Sequence, residues 1–302
     1  MSSAIKHNFE YSIFFVIKTF LKILPREIAL FMGRILGNLL FILDKKHKHI
    51  AYSNLKTAFG DHFSSQKRQQ IIKKSYIHFC NVMLDFVKIS RLKLKQKDNL
   101  ISVEGSEILE KHLLKQRGLL IFTAHFGFWE IAAHVLSKHT ELNVIARPLD
   151  NPFLEKEISK FRASIGSQVI YKKNAARHVL KALHKNKMVA VLIDQNVLRE
   201  EGIFIKFFGK KASTTPSLAT FFLRTKAPLI PIFCYPTPEH GYHLKIMEPP
   251  LIKLSGNFQT DVMNITQKCT QIIEQEIKKQ PHLWLWFHDR WRSRPLDGSE
   301  SK

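Results

Sequence analysis

Apolar positions in the N-terminal third recur at helical spacing. Segments 9–24, 26–43 and 65–90 carry this period, so each predicts a helix. Pro25 separates the first two, and the turn-like GDHFSS at 60–65 precedes the third, where Ser64 or Ser65 can cap. In YSIFFVIKTFLKIL (11–24), Ser12, Lys18, Thr19 and Lys22 share one arc and the rest is Phe, Ile, Val, Leu or Tyr. In EIALFMGRILGNLLFIL (27–43), Glu27, Arg34 and Asn38 form one narrow stripe. Neither stretch holds the roughly 20 uninterrupted apolar residues that a spanning helix needs. A wide apolar face beside a thin polar one predicts helices lying in a membrane interface, with core helices as the rival reading.

From about residue 100 the texture changes. Short apolar runs alternate with amphipathic stretches: GLLIFTA then a helix from about 127, LNVIARP then a helix from about 152, SQVIYKK then a helix 175–186. MVAVLIDQ precedes a helix 215–225, and the strands APLIPIFCYP and YHLKIMEPP precede a helix near 260–278. This alternation predicts an α/β fold, a mostly parallel, helix-covered sheet. The expected organisation is a membrane-associated helical region, 1–95, joined to an α/β region, 96–302, as one continuous unit. The tail PLDGSESK reads as frayed.

Charge sharpens this picture. Lys plus Arg number 47 against 25 Asp plus Glu, a net +22, which attracts anionic partners. Nucleic acid is disfavoured, because the 23 Phe sit mostly inside apolar runs and no nucleic-acid motif appears. The run Lys45, Lys46, His47, Lys48, His49 follows the apolar helices, where anionic headgroups would lie. No small-residue cleavage site follows the apolar start, so an uncleaved anchor is expected. Cys80, Cys234 and Cys269 show neither metal-ligand spacing nor a disulfide framework, which suits a reducing compartment. No histidine shows a zinc spacing, and no metal or cofactor is expected.

The chemistry concentrates in TAHFGFWE, 123–130. The run GLLIF ends at a junction of the kind where open α/β sheets bind ligands. His125 lies on the turn. If Gly127 starts a helix, Glu130 stands one turn in and its carboxylate reaches back to the imidazole. A carboxylate on one ring nitrogen fixes the tautomer and makes the other a better base. With no Ser or Cys nucleophile nearby, the hydroxyl to be deprotonated belongs to a substrate; a satisfied core histidine is the alternative.

His125-x4-Glu130 resembles the His-x4-Asp/Glu motif of lysophospholipid acyltransferase-like enzymes, and more narrowly the lipid A late acyltransferases, the lauroyl/myristoyl type of Gram-negative bacteria. NLKTAFG (54–60), ARPLDNP (146–152), DQN (194–196), FFG (207–209), STTP (213–216) and WLWFHDRWRSRP (284–295) follow the same family order, so the resemblance runs from about residue 10 to 295. The acid is Glu rather than Asp, which suits the lipid A branch, and no role attaches to the pair Glu200–Glu201.

The resemblance implies an enzyme on the cytoplasmic face of the inner membrane that moves an acyl group from an acyl carrier protein thioester to a hydroxyl of a lipid A precursor. It implies His125 as general base and Glu130 as its orienting acid, and gives Arg147 a phosphate or an oxyanion to hold. Asp194 and Gln195, at a strand end, would bind substrate or orient Arg147. Thr214 and Thr215 start a helix whose N-terminus is able to hold a phosphate, and Thr215 with Pro216 reads as its cap. Phe207 and Phe208 would line the acyl slot or pack in the core. Trp284, Trp286, His288, Arg290 and Trp291 mix aromatics and cations as at a membrane interface, or pack plainly. Both partners, the lipid acceptor and the carrier protein, are anionic, which matches the basic chain. A different lipid acceptor, or a non-catalytic membrane-binding protein, is the alternative.

Overall fold

The computed structural model describes residues 3–89, 91–171, 175–239 and 241–296; most of the tail expected to fray, 297–302, lies outside them. Four helices come first: α1 (Ser3–Ile23), α2 (Arg26–Leu43), α3 (Lys45–Phe59) and α4 (Ser65–Ile89). The basic run 45–49 is thus the start of a helix, capped by the Asp44 side chain, which accepts from His47 N. Pro25 ends α1 because it cannot donate to the helical ladder. α2 packs closely on α4 through Gly33 and Gly37; a Cβ on Gly37 would lie 2.5 Å from the Ile77 Cα.

The rest of the chain alternates as expected. In order it forms α5 (Leu94–Asp98), β1 (Ile101–Glu104), α6 (Ser106–Leu113), β2 (Leu119–Thr123), α7 (Ala132–Leu136), β3 (Leu142–Ala146), α8 (Pro152–Ser164) and β4 (Ser167–Tyr171). Then come α9 (Ala175–His184), β5 (Met188–Leu192), β6 (Ile203–Phe207), β7 (Lys210–Thr214), α10 (Ser217–Thr225), β8 (Leu229–Pro236), β9 (Tyr242–Ile246) and α11 (Phe258–Lys279). Seven strands form one sheet in the order β1-β9-β8-β2-β5-β3-β4, and only the β8–β9 pair is antiparallel. The sheet is covered on both faces: Leu120, Phe122, Val189 and Val191 enter one core, and Leu119, Ile121, Met188 and Ala190 the other. β6 and β7 make a separate hairpin.

Two local expectations change. No long helix begins at Gly127; a 3-10 turn, 129–131, leads into the short α7. Trp284 and Trp286 are buried, as are Phe207 and Phe208, so these aromatics pack the core rather than meet a bilayer. The N-terminal helices differ in leaving large apolar side chains uncovered. Phe9, Phe20 and Ile23 on α1, and Phe31, Ile35, Ile42 and Leu43 on α2, stay exposed. Among the described residues no helix is long and apolar enough to cross a membrane.

Candidate active site

Strand register builds the site. β2 and β5 are parallel neighbours in which Thr123 pairs with Leu192. Two residues beyond each partner stand His125 and Asp194, so both emerge at the same edge. The Asp194 carboxylate then takes three bonds: its Oδ1 accepts from His125 Nδ1 at 2.9 Å. Its Oδ2 accepts from the His125 backbone N–H at 2.9 Å and from Trp284 Nε1 at 2.8 Å. Asp194 is fully enclosed. Burial alone would raise its pKa, but the His125 charge, these donors and the Trp284 indole outweigh burial and hold it below the usual carboxylate range. With Nδ1 donating to Asp194, Nε2 carries the lone pair, and the Gln195 amide lies 3.5 Å from it. The Trp129 ring meets the imidazole edge-on at 5.0 Å.

The carboxylate on the imidazole is therefore that of Asp194, not Glu130. Gly127 is the physical reason. It sits at φ +58 and packs so tightly that a Cβ would fall 1.6 Å from the Cys234 carbonyl oxygen. Its N–H donates to Leu283 O and its carbonyl accepts from His78 Nε2, which pins the turn and keeps it from becoming a first helical turn. Glu130 instead meets Arg162 of α8, whose Nη2 lies 2.7 Å from Oε1 and whose Nε lies 3.2 Å from the same oxygen. Both side chains are mostly buried. Burial works against the charged guanidinium, but the Glu130 hydrogen bonds and charge raise the Arg162 pKa above its ordinary value.

His125, Glu130, Arg147, Arg162 and Gln195 help to line a cavity of about 410 Å³. Much of the remaining lining is apolar, with Ala132, Ala133 and Leu136 from α7 and Leu142, Val144 and Ala190 from the sheet. The volume falls within the range of small-molecule sites. Arg147 stands at the mouth, exposed, with Asp150 3.6 Å away.

Several expected substrate binders lie elsewhere. Arg290 is sealed from solvent; its Nη1 donates to Ser213 O and its Nη2 to the Thr214 hydroxyl. Burial brings the Arg290 pKa down to about 10, with the Asp194 charge pulling the other way. Thr214 is buried too, so neither meets a ligand. Thr215 is not among the cavity's lining residues; its hydroxyl accepts from Ser217 N at 3.3 Å, at the start of α10. These residues form a frame instead. His288 Nε2 accepts from Asn196 N at 2.9 Å, and Asn54 donates to the carbonyls of Trp286 and His288 at 2.8 and 2.7 Å. The NLKTAFG, DQN and WLWFHDR segments are thus tied together behind His125. Sequence spacing gave no signal for Arg162, which lies 32 positions from Glu130. Among the described residues no group of three or more His, Cys, Asp and Glu is able to hold a metal ion.

Comparison with known proteins identifies the family. A family model described as bacterial lipid A biosynthesis acyltransferase matches residues 2–293. The lipid A biosynthesis palmitoleoyltransferase of Escherichia coli (strain K12) is 25% identical over 283 residues, which covers 91% of this chain and 89% of that protein. The lipid A biosynthesis lauroyltransferase of the same strain is 23% identical over 277 residues, covering 90% and 88%. A phosphatidylinositol mannoside acyltransferase of Mycolicibacterium smegmatis is similar over 180 residues at 23% identity, covering 58% of this chain and 57% of its own.

Proposed function

The chain belongs to the bacterial lipid A biosynthesis acyltransferases, and from that premise we propose that it moves a fatty acyl group from an acyl carrier protein thioester onto a hydroxyl of a lipid A precursor. The observation that supports the mechanism is the His125–Asp194 pair, with His125 lining a cavity whose walls are largely apolar.

In this reading the acceptor hydroxyl approaches Nε2 of His125. The imidazole takes its proton as the oxygen attacks the thioester carbonyl, and Asp194 stabilises the imidazolium. The tetrahedral intermediate collapses with loss of the thiolate, which takes the proton back from Nε2. The Arg162–Glu130 pair fixes the wall beside the imidazole, and Arg147 at the mouth meets anionic groups of the substrate. The acyl chain lies against the apolar part of the lining. The exposed apolar faces of α1 and α2 rest in the interface of the inner membrane on its cytoplasmic side, where the acceptor resides. The +22 net charge favours both an acidic carrier protein and an anionic lipid.

Mass spectrometry of lipid A from cells with and without the gene tests the assignment. One acyl chain is expected to be missing without it, and His125→Ala should not restore that chain. Unchanged lipid A with altered phospholipids or glycolipids would shift the acceptor to another lipid, the reading that the partial similarity to the mannoside acyltransferase favours.

A further inference from the structure

A buried indole N–H needs an acceptor. Trp286 donates to the Pro281 carbonyl, at 2.6 Å, whereas Trp284 donates to Oδ2 of Asp194, at 2.8 Å. The backbone around Trp284 is tied to the turn that carries His125. Trp284 pairs with Phe126 in an antiparallel bridge, Leu285 N donates to His125 O at 3.0 Å, and Gly127 N donates to Leu283 O at 2.9 Å. The rings of Phe207 and Trp286 meet the Trp284 indole edge to face, with centroids 5.6 and 4.6 Å away. The indole is therefore sealed and held on one line to the carboxylate.

The donors are shared unevenly between the two carboxylate oxygens. Oδ2 accepts from the Trp284 indole and from the His125 backbone, and Oδ1 from the His125 ring alone. Hydrogen bonds to an ionised carboxylate stabilise it and draw its charge toward the oxygen they reach. Two N–H groups on Oδ2 thus leave Oδ1 a weaker acceptor for the ring, and the imidazole a weaker base. A general base works best when its proton affinity suits the operating pH, because it must be neutral before it takes a proton.

Other charged groups act on the pair. His288 and Arg290 lie on the same C-terminal segment as Trp284, and both feel the Asp194 charge. His288 Nε2 accepts from Asn196 N, so that ring is neutral, with Asp289 beside it. Arg290 remains a cation, its pKa brought down by burial only to about 10. Glu130 and Arg162 line the His125 cavity as an ion pair. We propose that Trp284 is a positioning residue for the reaction: through Oδ2 of Asp194 it fixes the carboxylate and sets how tightly the His125–Asp194 pair holds its proton. Trp284 is not among the cavity's lining residues, so it acts through Asp194 and not on substrate. The proposal rests on reading His125 as the base of acyl transfer.

Two replacements test it in the full-length enzyme: Trp284→Phe, and benzothienylalanine at the same position, which puts sulfur where the N–H stands and keeps the shape. Nitrogen NMR of isotope-labelled histidine follows the His125 ring with pH, its signal identified by loss in His125→Gln. No substrate is needed, so this readout is independent of the acyl-transfer reading. The His125 midpoint is expected to rise by about half a unit to one unit in both Trp284 variants. The acid limb of kcat/KM should move up by the same amount, with donor KM within about two-fold of the parent. Trp286→Phe also deletes a buried indole donor, but one that serves a carbonyl. It should lower the melting temperature and leave the His125 midpoint where it was. A midpoint that stays put or falls in both Trp284 variants would overturn the proposal, as would an equal rise in Trp286→Phe. A midpoint that rises while the acid limb of acyl transfer stays put would uphold the Trp284 tie to the pair and overturn His125 as the base.

Discussion

Oδ1 of Asp194 stands 2.9 Å from Nδ1 of His125, and Oδ2 of the same carboxylate holds the His125 backbone. One buried acid thus fixes both the ring and the chain that carries it. Asp194→Asn keeps the shape but puts an amide where the acceptor must be, which favours the wrong tautomer. Turnover is expected to fall about 10³- to 10⁴-fold, the scale known for tautomer errors in His–Asp pairs. Single-turnover acyl transfer measures this, and an activity within ten-fold of the parent would remove Asp194 from the mechanism.

What the sequence reveals here depends on range. Residues near one another in the chain were legible: the alternation of β2, β3, β4 and β5 with helices, the start of α8 near residue 152, the amphipathic α1 and α2. His125 was legible as well, because a polar residue follows a buried run at a strand end. Its partner was not. Glu130 is the near acid, but Asp194 lies 69 positions on, and only the β2–β5 register brings it to the ring. The β6–β7 hairpin was hidden for a local reason: Phe208 and Gly209 both take positive φ, a two-residue turn whose usual signal is Asn-Gly. Arg290 read as an interface cation because composition does not tell an exposed cation from a buried one that holds carbonyls.

The Glu130–Arg162 pair braces the cavity wall from α8. Its two side chains are 14% and 18% exposed, so removing one partner leaves a poorly solvated charge. Arg162→Ala should destabilise the fold by about 3 kcal/mol in urea unfolding and lower activity. Arg162→Lys should fail to restore full activity, because a single ammonium cannot reproduce the two-nitrogen contact with Oε1. Full activity in Arg162→Lys would mean that charge alone matters there.

Acid should loosen the turn under His125. His78 is enclosed and neutral, its pKa depressed to about 4 chiefly by burial, with the Gly127 hydrogen bond opposing. A histidine with a lowered folded pKa contributes stability that is complete above the unfolded value, near 6.5, and is lost as pH falls towards 4. Stability attributable to His78 should drop by about 3 kcal/mol across that window. Denaturant unfolding at pH 7 and at pH 4.5 checks this. His78→Gln, which keeps a donor for Gly127, should show a smaller fall than the parent, and an identical fall in both would place the acid sensitivity elsewhere.

Tight helix packing makes its own demand. Gly37→Ala sets a methyl against the Ile77 backbone rather than against a side chain able to turn aside. α2 must then shift from α4, at a cost of about 1–3 kcal/mol. Because α2 carries much of the exposed apolar face, vesicle binding is expected to weaken along with thermal stability. A variant as stable as the parent would show that α2 slides freely on α4.

The apolar lining of the His125 cavity sets the last expectation, the length of acyl chain accepted. Ala133 and Ala190 line it with methyl groups only, and both are buried, so the space they leave is interior. Ala133→Leu or Ala190→Val fills part of that space without touching His125, Asp194 or the mouth. The longest acyl donor taken by the parent should lose kcat/KM most steeply, while shorter donors keep theirs, because a short chain ends before the added carbons. Overpacking carries a stability cost of about 1–3 kcal/mol, so melting temperatures are recorded alongside. A donor series of increasing chain length, assayed as thioesters on the carrier protein, reads the profile. A uniform fall at every length would reveal damage to the site as a whole and would separate the cavity from the acyl chain. A profile moved toward shorter donors ties the residues that floor the cavity to the end of that chain.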